Sequence, residues 1–346
     1  MRKTLFTIST LASLVIIIAW IAGSCKKPND TDDALEQVIP QGFPQPHYRF
    51  ADNPLTKDGV ELGRRLFYDG RLSVDGFHPC SSCHQQIAGF GTYEHDRSHG
   101  VHDSHTLRNA PVLFNLAWNT SFHWDGEFLT LADEAVHPIT GQTEMGETFN
   151  RVIRKIENDI EYKRLFKKVF HTDVILPVHI QKALAQFTGT IVVFNSKYDR
   201  VKKGEASFTA QETAGYQLYQ SNCASCHPEP LFTDYSYRNI GLPVEPFLND
   251  FGRMRITGRR EDSLKFKVPT LRNTYISANY MHDGRFNTFA QVLTHYRSNV
   301  QPGPTLDPLL TNGITMTNTD AINLALFLRA LTDSALLNDP RYGPPQ

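Results

Sequence analysis

Five cysteines are all that this 346-residue chain contains, and neither sign of charge is in excess, with 35 Lys and Arg against 36 Asp and Glu. A polyanion-binding protein needs a basic stripe, so near-neutrality without one argues against a nucleic-acid partner. Strand-type alternation of apolar and polar residues is equally scarce, which leaves helix as the main element. Only one apolar run is long: Leu5 to Ile21, preceded by Arg2 and Lys3. By charge and length it is a secretory signal core. The run ends in Ala22-Gly23-Ser24-Cys25, which resembles a lipobox, with residues 1–24 removed and Cys25 left as a lipid-bearing N-terminus. An uncleaved anchor is the alternative, since about 17 largely apolar residues nearly span a bilayer. Either arrangement tethers the folded part outside the cytoplasm, on the periplasmic side or at the cell surface. Residues 25–46 are rich in Pro, Asn and Asp and read as a flexible tether.

The other four cysteines fall in two pentapeptides, Cys80-Ser81-Ser82-Cys83-His84 and Cys223-Ala224-Ser225-Cys226-His227. Each is the attachment signature of a c-type haem: two thiols for the vinyl groups and an adjacent histidine as proximal iron ligand. A structural zinc site would also use paired cysteines, but it needs four N or S ligands brought together. The histidine after both pairs and the exported compartment favour haem. With Cys25 assigned to lipid, no cysteine remains for a disulfide.

Each motif sits in one half of the chain, which predicts two haem domains, residues 47–200 and 201–346, joined through a basic segment from Ser196 to Ser207. Apolar residues recur at helical spacing over Val60–Phe67, Phe149–Phe170, Val178–Phe194, Gln211–Tyr219 and Ala321–Leu331. Thr209 followed by Glu212 is a capping-box pattern. The expected fold is mainly α, two cytochrome c-like haem domains with long loops. Two short blocks recur in the same order after each haem motif: Thr106-Leu107-Arg108-Asn109 with Thr270-Leu271-Arg272-Asn273, and Trp124-Asp125-Gly126 with His282-Asp283-Gly284. This predicts an internal duplication with insertions between the blocks.

Taking the second block as a register mark, Pro138 and Tyr296 occupy equivalent positions, fourteen residues on in each half. Proline cannot ligate iron, whereas tyrosine can. If this segment crosses the distal face in both halves, one haem keeps an open position and the other is closed. Glu144 lies close behind Pro138, and a carboxylate beside an open iron can shuttle the proton that peroxide cleavage requires. Burial there would raise its pKa. A lone loop glutamate is otherwise an ordinary solvated group. His295 competes with Tyr296, because imidazole is the commoner haem donor.

Leu62-Gly63-Arg64-Arg65-Leu66-Phe67-Tyr68-Asp69, Arg71-Leu72-Ser73, both haem motifs, Arg108-Asn109-Ala110-Pro111 and Tyr280-Met281-His282-Asp283-Gly284 resemble the bacterial dihaem cytochrome c peroxidase and MauG family from about Pro54 to Leu331. The resemblance implies that the N-terminal haem handles hydrogen peroxide and the C-terminal one stores or relays electrons. By position it implies Glu144 as acid-base, Pro138 as the distal proline and Trp124 as the bridge between haems. Glu134 departs from the glutamine usual in the family. Where usual peroxidases carry a methionine, Tyr296 stands as in MauG, and no methionine lies between Met281 and Met316. A histidine from the loop containing His99, His102 and His105 would cap the resting N-terminal haem, with His102 the candidate. The resemblance also implies a calcium ion held by Asn109 and by backbone carbonyls at Ser277 and Asn279. The expected activity is peroxide reduction with electrons from a small cytochrome c or cupredoxin. The alternative is MauG-like oxidation of Trp or Tyr residues of a partner protein. A non-catalytic electron carrier is a third reading, but it would need neither Glu144 nor an open haem.

Overall fold

A computed structural model describes residues 33–346; the signal segment 1–24 and Cys25 lie outside the described residues. The body from Leu35 to Gln346 is mainly helical, 41% helix against 6% strand, as the missing alternation predicted. Its helices are α1 (Lys57–Phe67), α2 (Cys80–Cys83), α3 (Leu131–Glu134), α4 (Val136–Thr140), α5 (Phe149–Ile156), α6 (Ile160–Phe170), α7 (Pro177–Gly189), α8 (Lys197–Lys202), α9 (Ala210–Asn222), α10 (Met254–Thr257), α11 (Phe289–Thr294) and α12 (Asn318–Arg329). Two short strands, β1 (Tyr237–Arg238) and β2 (Phe266–Lys267), pair antiparallel. Among the described residues no helix is long and apolar enough to cross a membrane.

Local chemistry explains most boundaries. The predicted single helix over Phe149–Phe170 is two, because the Asp159 carboxylate accepts from Glu161 N and Tyr162 N and starts α6 afresh. The Thr209 hydroxyl accepts from Glu212 N at 3.1 Å while the Glu212 carboxylate accepts from Thr209 N at 2.7 Å, the reciprocal cap expected of that pair. The apolar pattern carried past Gly189 belongs instead to an extended segment, in which Asn115 bonds both the N–H and the C=O of Val193.

Two helix pairs form the two cores. Helix α1 crosses α7 over buried Leu62, Leu66, Phe67, Ala183 and Phe187, and α9 crosses α12 over Tyr219, Phe232, Leu324 and Phe327. Each crossing uses one glycine for close approach. A Cβ on Gly63 would sit 2.0 Å from the Ala183 carbonyl oxygen, and one on Gly215 2.0 Å from that of Asn323. Gly63→Ala and Gly215→Ala are therefore each expected to lower stability by about 1–3 kcal/mol through overpacking. The shift of the denaturant midpoint at unchanged slope is the measurement that checks this.

The halves share further geometry. Asn115 and Asn273, both at φ 55°, open short 3-10 turns, Leu116–Trp118 and Thr274–Ile276. The Asn115 side-chain Oδ1 accepts from Val193 N and that of Asn273 from Asp333 N, so each asparagine clamps the segment leaving α7 or α12. Counted from these asparagines, the Asp125-Gly126 and Asp283-Gly284 turns fall in step without insertion. The structural partner of Asn273 is thus Asn115, not Asn109, and the repeated Thr-Leu-Arg-Asn tetrapeptide is out of register.

Two segments differ from expectation. The predicted tether is laid on the body from Leu35 onward: Phe43 packs on Trp118 at 5.4 Å, and Trp118 Nε1 donates to the Pro44 carbonyl. The segment from Ser196, read as a linker, holds buried α8, whose Asp199 pairs with the fully buried Arg272. The C-terminal tail also packs back on the first half, with Tyr68 donating to the Tyr342 carbonyl and Gln86 donating to Leu336 and Asp339.

Candidate active site

Each cysteine pair lines its own cavity. The smaller one, about 60 Å³, is walled by Cys80, Cys83, His84, His99, Glu134, Pro138 and Glu144 among apolar residues. A larger one, about 320 Å³, is lined by Cys223, Cys226, His227, Trp124 and Tyr296. The four described cysteines are unpaired, and no cysteine joins a metal-ligand cluster among the described residues. A shared zinc site is therefore not assembled. His84 Nδ1 donates to the Phe90 carbonyl at 3.2 Å and His227 Nδ1 to that of Phe232 at 3.0 Å. Carbonyls can only accept, so both imidazoles are held as tautomers with a bare Nε2 lone pair, as an iron ligand requires. Two thiols, one bare imidazole nitrogen and apolar walls in each cavity fit a haem.

In the smaller cavity the loop after α4 folds tightly, with Glu144 N donating to Gly141 O and Met145 N to Pro138 O. Val101 N donates to the Glu144 carbonyl at 2.8 Å, tying the histidine loop to the same place. Glu144 is thus fixed beside Pro138 rather than free in solvent. Burial lifts its carboxyl above the ordinary value, opposed by His137 and His123 and assisted by Glu134. Burial acts to raise Glu134 as well, but the His123 imidazole 3.6 Å away and its charge hold it below the ordinary value. Two neighbouring carboxyls are therefore pushed in opposite directions, the pattern that separates a proton carrier from a fixed charge. The loop histidines His99 and His102 are both exposed, but only His99 borders this cavity.

In the larger cavity Tyr296 sits in a π-helical turn, His295–Asn299, directly after α11. Such turns shift the side-chain register by about one residue. Tyr296 faces the cavity, while His295 is buried away from it with Nε2 donating to the Ile240 carbonyl at 2.9 Å. Burial raises the Tyr296 phenol far above its ordinary value. Trp124 donates from Nε1 to the Asn109 carbonyl at 2.8 Å, and its chain neighbour His123 faces Glu134 of the smaller cavity. The His123-Trp124 dipeptide thus connects the two cavities. Asn109, Ser277 and Asn279 lie along the wall of the larger one, where Ser277 donates to the Asn279 carbonyl.

Residues 57–207 match the sequence profile of the di-haem cytochrome c peroxidases. The chain is 37% identical to the cytochrome c551 peroxidase of Nitrosomonas europaea over 70% of its own length and 74% of that protein. The chain belongs to the dihaem cytochrome c peroxidase and MauG family. It is also 33% identical to the methylamine utilization protein MauG of Methylorubrum extorquens, over 77% of this chain and 75% of that one. Among solved structures, a MauG-like protein associated with microbial copper homeostasis superposes with a TM-score of 0.82 at 30% identity, covering 90% of this chain and 99% of that one. The diheme peroxidase BthA of Burkholderia thailandensis shares the fold, at TM-score 0.72 and 21% identity. Membership makes this dihaem peroxidase an oxidoreductase with haem cofactors.

The sequence reading passed over His123, Glu127 and His137, which lie behind Glu134 and Glu144 of the smaller cavity, His123 also lining the larger one. His137 Nε2 lies 3.5 Å from Glu144 Oε1, and His123 Nε2 lies 3.6 Å from Glu134 Oε1. A signal was present: Glu134-Ala135-Val136-His137 has the E-x-x-H spacing that puts both side chains on one helical face, and His123 and Glu127 flank the Trp-Asp-Gly turn.

Proposed function

We propose that this chain is an exported enzyme that consumes hydrogen peroxide at the cavity of Cys80, Cys83 and His84, with both haems attached covalently through their cysteine pairs. The two haem domains are assigned to residues 47–200 and 201–346, related by duplication; the matched helix crossings and the equivalent Asn115 and Asn273 support this. His84 and His227 are the proximal ligands. The haem supplies the iron that receives peroxide and the electrons that break its O–O bond. Glu144 takes a proton from one peroxide oxygen and returns it to the other, which departs as water. Pro138 brings no donor side chain to the cavity of His84, Glu134 holds a fixed negative charge beside Glu144, and Trp124 would carry electrons between the cavities. His99, rather than His102, is the loop histidine placed to cap the resting site.

One observation carries the reading: the two cavities differ in what they hold beside their histidine. Proline and a raised-pKa carboxyl share the first with His84, and Tyr296 shares the second with His227. As a ligand, an anionic phenolate is a hard, charged donor that favours oxidised iron. That favours the second haem as a store of oxidising equivalents and supports the MauG-like alternative, in which Trp or Tyr residues of a partner protein supply the electrons. In the peroxidase form a small cytochrome c or cupredoxin supplies them. Both forms use the same first cavity. Calcium at Asn109, Ser277 and Asn279, and lipid at Cys25, belong to the same proposal.

The test is the absorption spectrum of the haem-loaded, fully ferric protein before and after one equivalent of hydrogen peroxide. MauG-like chemistry predicts a rapid, long-lived spectral change without prior reduction, lost in Tyr296→Phe. Reaction only after one haem has been reduced assigns the external-donor form. No reaction in either state sinks the proposal.

A further inference from the structure

Beside the smaller cavity three side chains converge that the peroxide chemistry leaves unused. His123, Glu127 and His137 each present a ligand atom, all within 4.8 Å of one another. Glu127 Oε2 lies 3.4 Å from His123 Nδ1 and 3.5 Å from His137 Nδ1. Hydrogen bonds between nitrogen and oxygen are shorter, about 2.7–3.2 Å. Two ligands bound at about 2.0–2.1 Å to a tetrahedral ion are instead about 3.3–3.4 Å apart. The spacing is that of a ligand edge.

The outer nitrogens point the same way. His123 Nε2 faces Glu134 and His137 Nε2 faces Glu144, at 3.6 and 3.5 Å. Carboxylates beside the outer nitrogens of histidine ligands are the usual surroundings of a metal site. Here both Nδ1 atoms lie nearest Glu127, and ion binding displaces the proton that His123 shares with its carboxylate. The rings stand at 87° with centroids 5.1 Å apart, so they converge without stacking. All three side chains are partly exposed, which gives an ion a route in.

We propose that His123, Glu127 and His137 form a binding site for a divalent transition-metal ion of the zinc class, with a fourth position open to water. Two imidazoles and one carboxylate suit such an ion, whereas calcium and magnesium prefer all-oxygen sites. The remaining charged neighbour is Arg255, whose Nη2 is 2.8 Å from both Glu127 Oε2 and Asp125 Oδ2. On metal binding, Glu127 turns that oxygen from Arg255 to the ion, and Arg255 keeps Asp125. Through Glu144 the site deepens the function proposed above and rests on it for that link alone.

The test is calorimetric titration of the haem-loaded protein with zinc ion, without peroxide, so its outcome is independent of the catalytic reading. One zinc per chain is expected at micromolar or tighter affinity. His137→Ala and the near-isosteric Glu127→Gln should each weaken it by more than the roughly 10–100-fold that loss of an outer partner costs. The variant His105→Ala, which removes an exposed loop histidine tilted against His99 (4.3 Å between centroids), should leave it unchanged. An unaltered haem spectrum shows that each variant is folded. Absence of stoichiometric binding, binding that survives Glu127→Gln, or binding lost in the loop variant overturns the proposal.

Discussion

Glu144→Gln is expected to lower peroxide turnover by about 10²–10⁴-fold, the usual worth of a positioned acid-base group, with both haems retained. Glutamine keeps the shape and the contact toward His137 but cannot take up and release a proton. The loop that places residue 144 is held by backbone bonds, Val101 N to the 144 carbonyl and Glu144 N to Gly141 O, which the substitution leaves intact. The loss should therefore appear in turnover and not in peroxide-independent spectra. The pH dependence gives a second readout. Glu144 must be ionised to accept the peroxide proton, and burial raises its pKa above the ordinary 4.5. Activity of the wild type should therefore fall on the acid side at a pH above 4.5, and the residual activity of Glu144→Gln should lack that limb. Steady-state rates from pH 4 to 8 with a reduced electron donor check both statements. An unchanged rate in the variant would remove Glu144 from the mechanism.

How far the sequence foretold this site depends on how local each signal was. Cys80 to His84 and Cys223 to His227 are contiguous, and their chemistry needs only neighbours in the chain, so the motifs were legible. Helix starts at Thr209 and the α1 stripe of Leu62 and Leu66 were legible for the same reason. Tyr296 was reached by counting from the Trp-Asp-Gly turn, and that count holds because the two halves run in step from Asn115 and Asn273. The repeated Thr-Leu-Arg-Asn tetrapeptide misled, since short sequence identity is weaker evidence than the left-handed backbone those asparagines share. His102 was chosen over His99 without knowledge of the loop path: nothing local in the sequence says which of them borders the cavity. The Ser196–Ser207 segment looked like a linker because it is basic and contains Lys and Gly. Asp199 and Tyr198 are what bury it, and both take their partners from residues far along the chain.

Arg272→Met is expected to destabilise the protein by about 3–5 kcal/mol, the cost of leaving a buried charge without its partner. Arg272 is among the largest fully buried side chains and forms a bidentate pair with Asp199, 2.8 and 2.9 Å. Its Nε also donates to the Pro230 carbonyl, and its guanidinium lies over Phe43, Tyr198 and Phe232. One residue thus joins the N-terminal segment, α8 and the loop whose Phe232 carbonyl orients His227. Methionine fills a similar volume, so packing is largely kept and the charge loss dominates. The effect should shrink in acid. Burial alone would raise the Asp199 pKa, but the Arg272 hydrogen bonds outweigh it and hold it below 3.8. The pair's stabilisation is therefore present above pH 3.8 and is lost as pH falls through the folded pKa. In Arg272→Met the unpaired Asp199 protonates more readily, so wild type and variant converge at low pH. Denaturant midpoints at pH 7 and well below pH 3.8 measure the difference. Adding Asp199→Leu should recover part of the loss, not all, because Asp199 also accepts from Ser196 N and Oγ to cap α8. A single variant as stable as wild type would mean that water reaches Asp199, and that the link from α8 to His227 is not held by this charge pair.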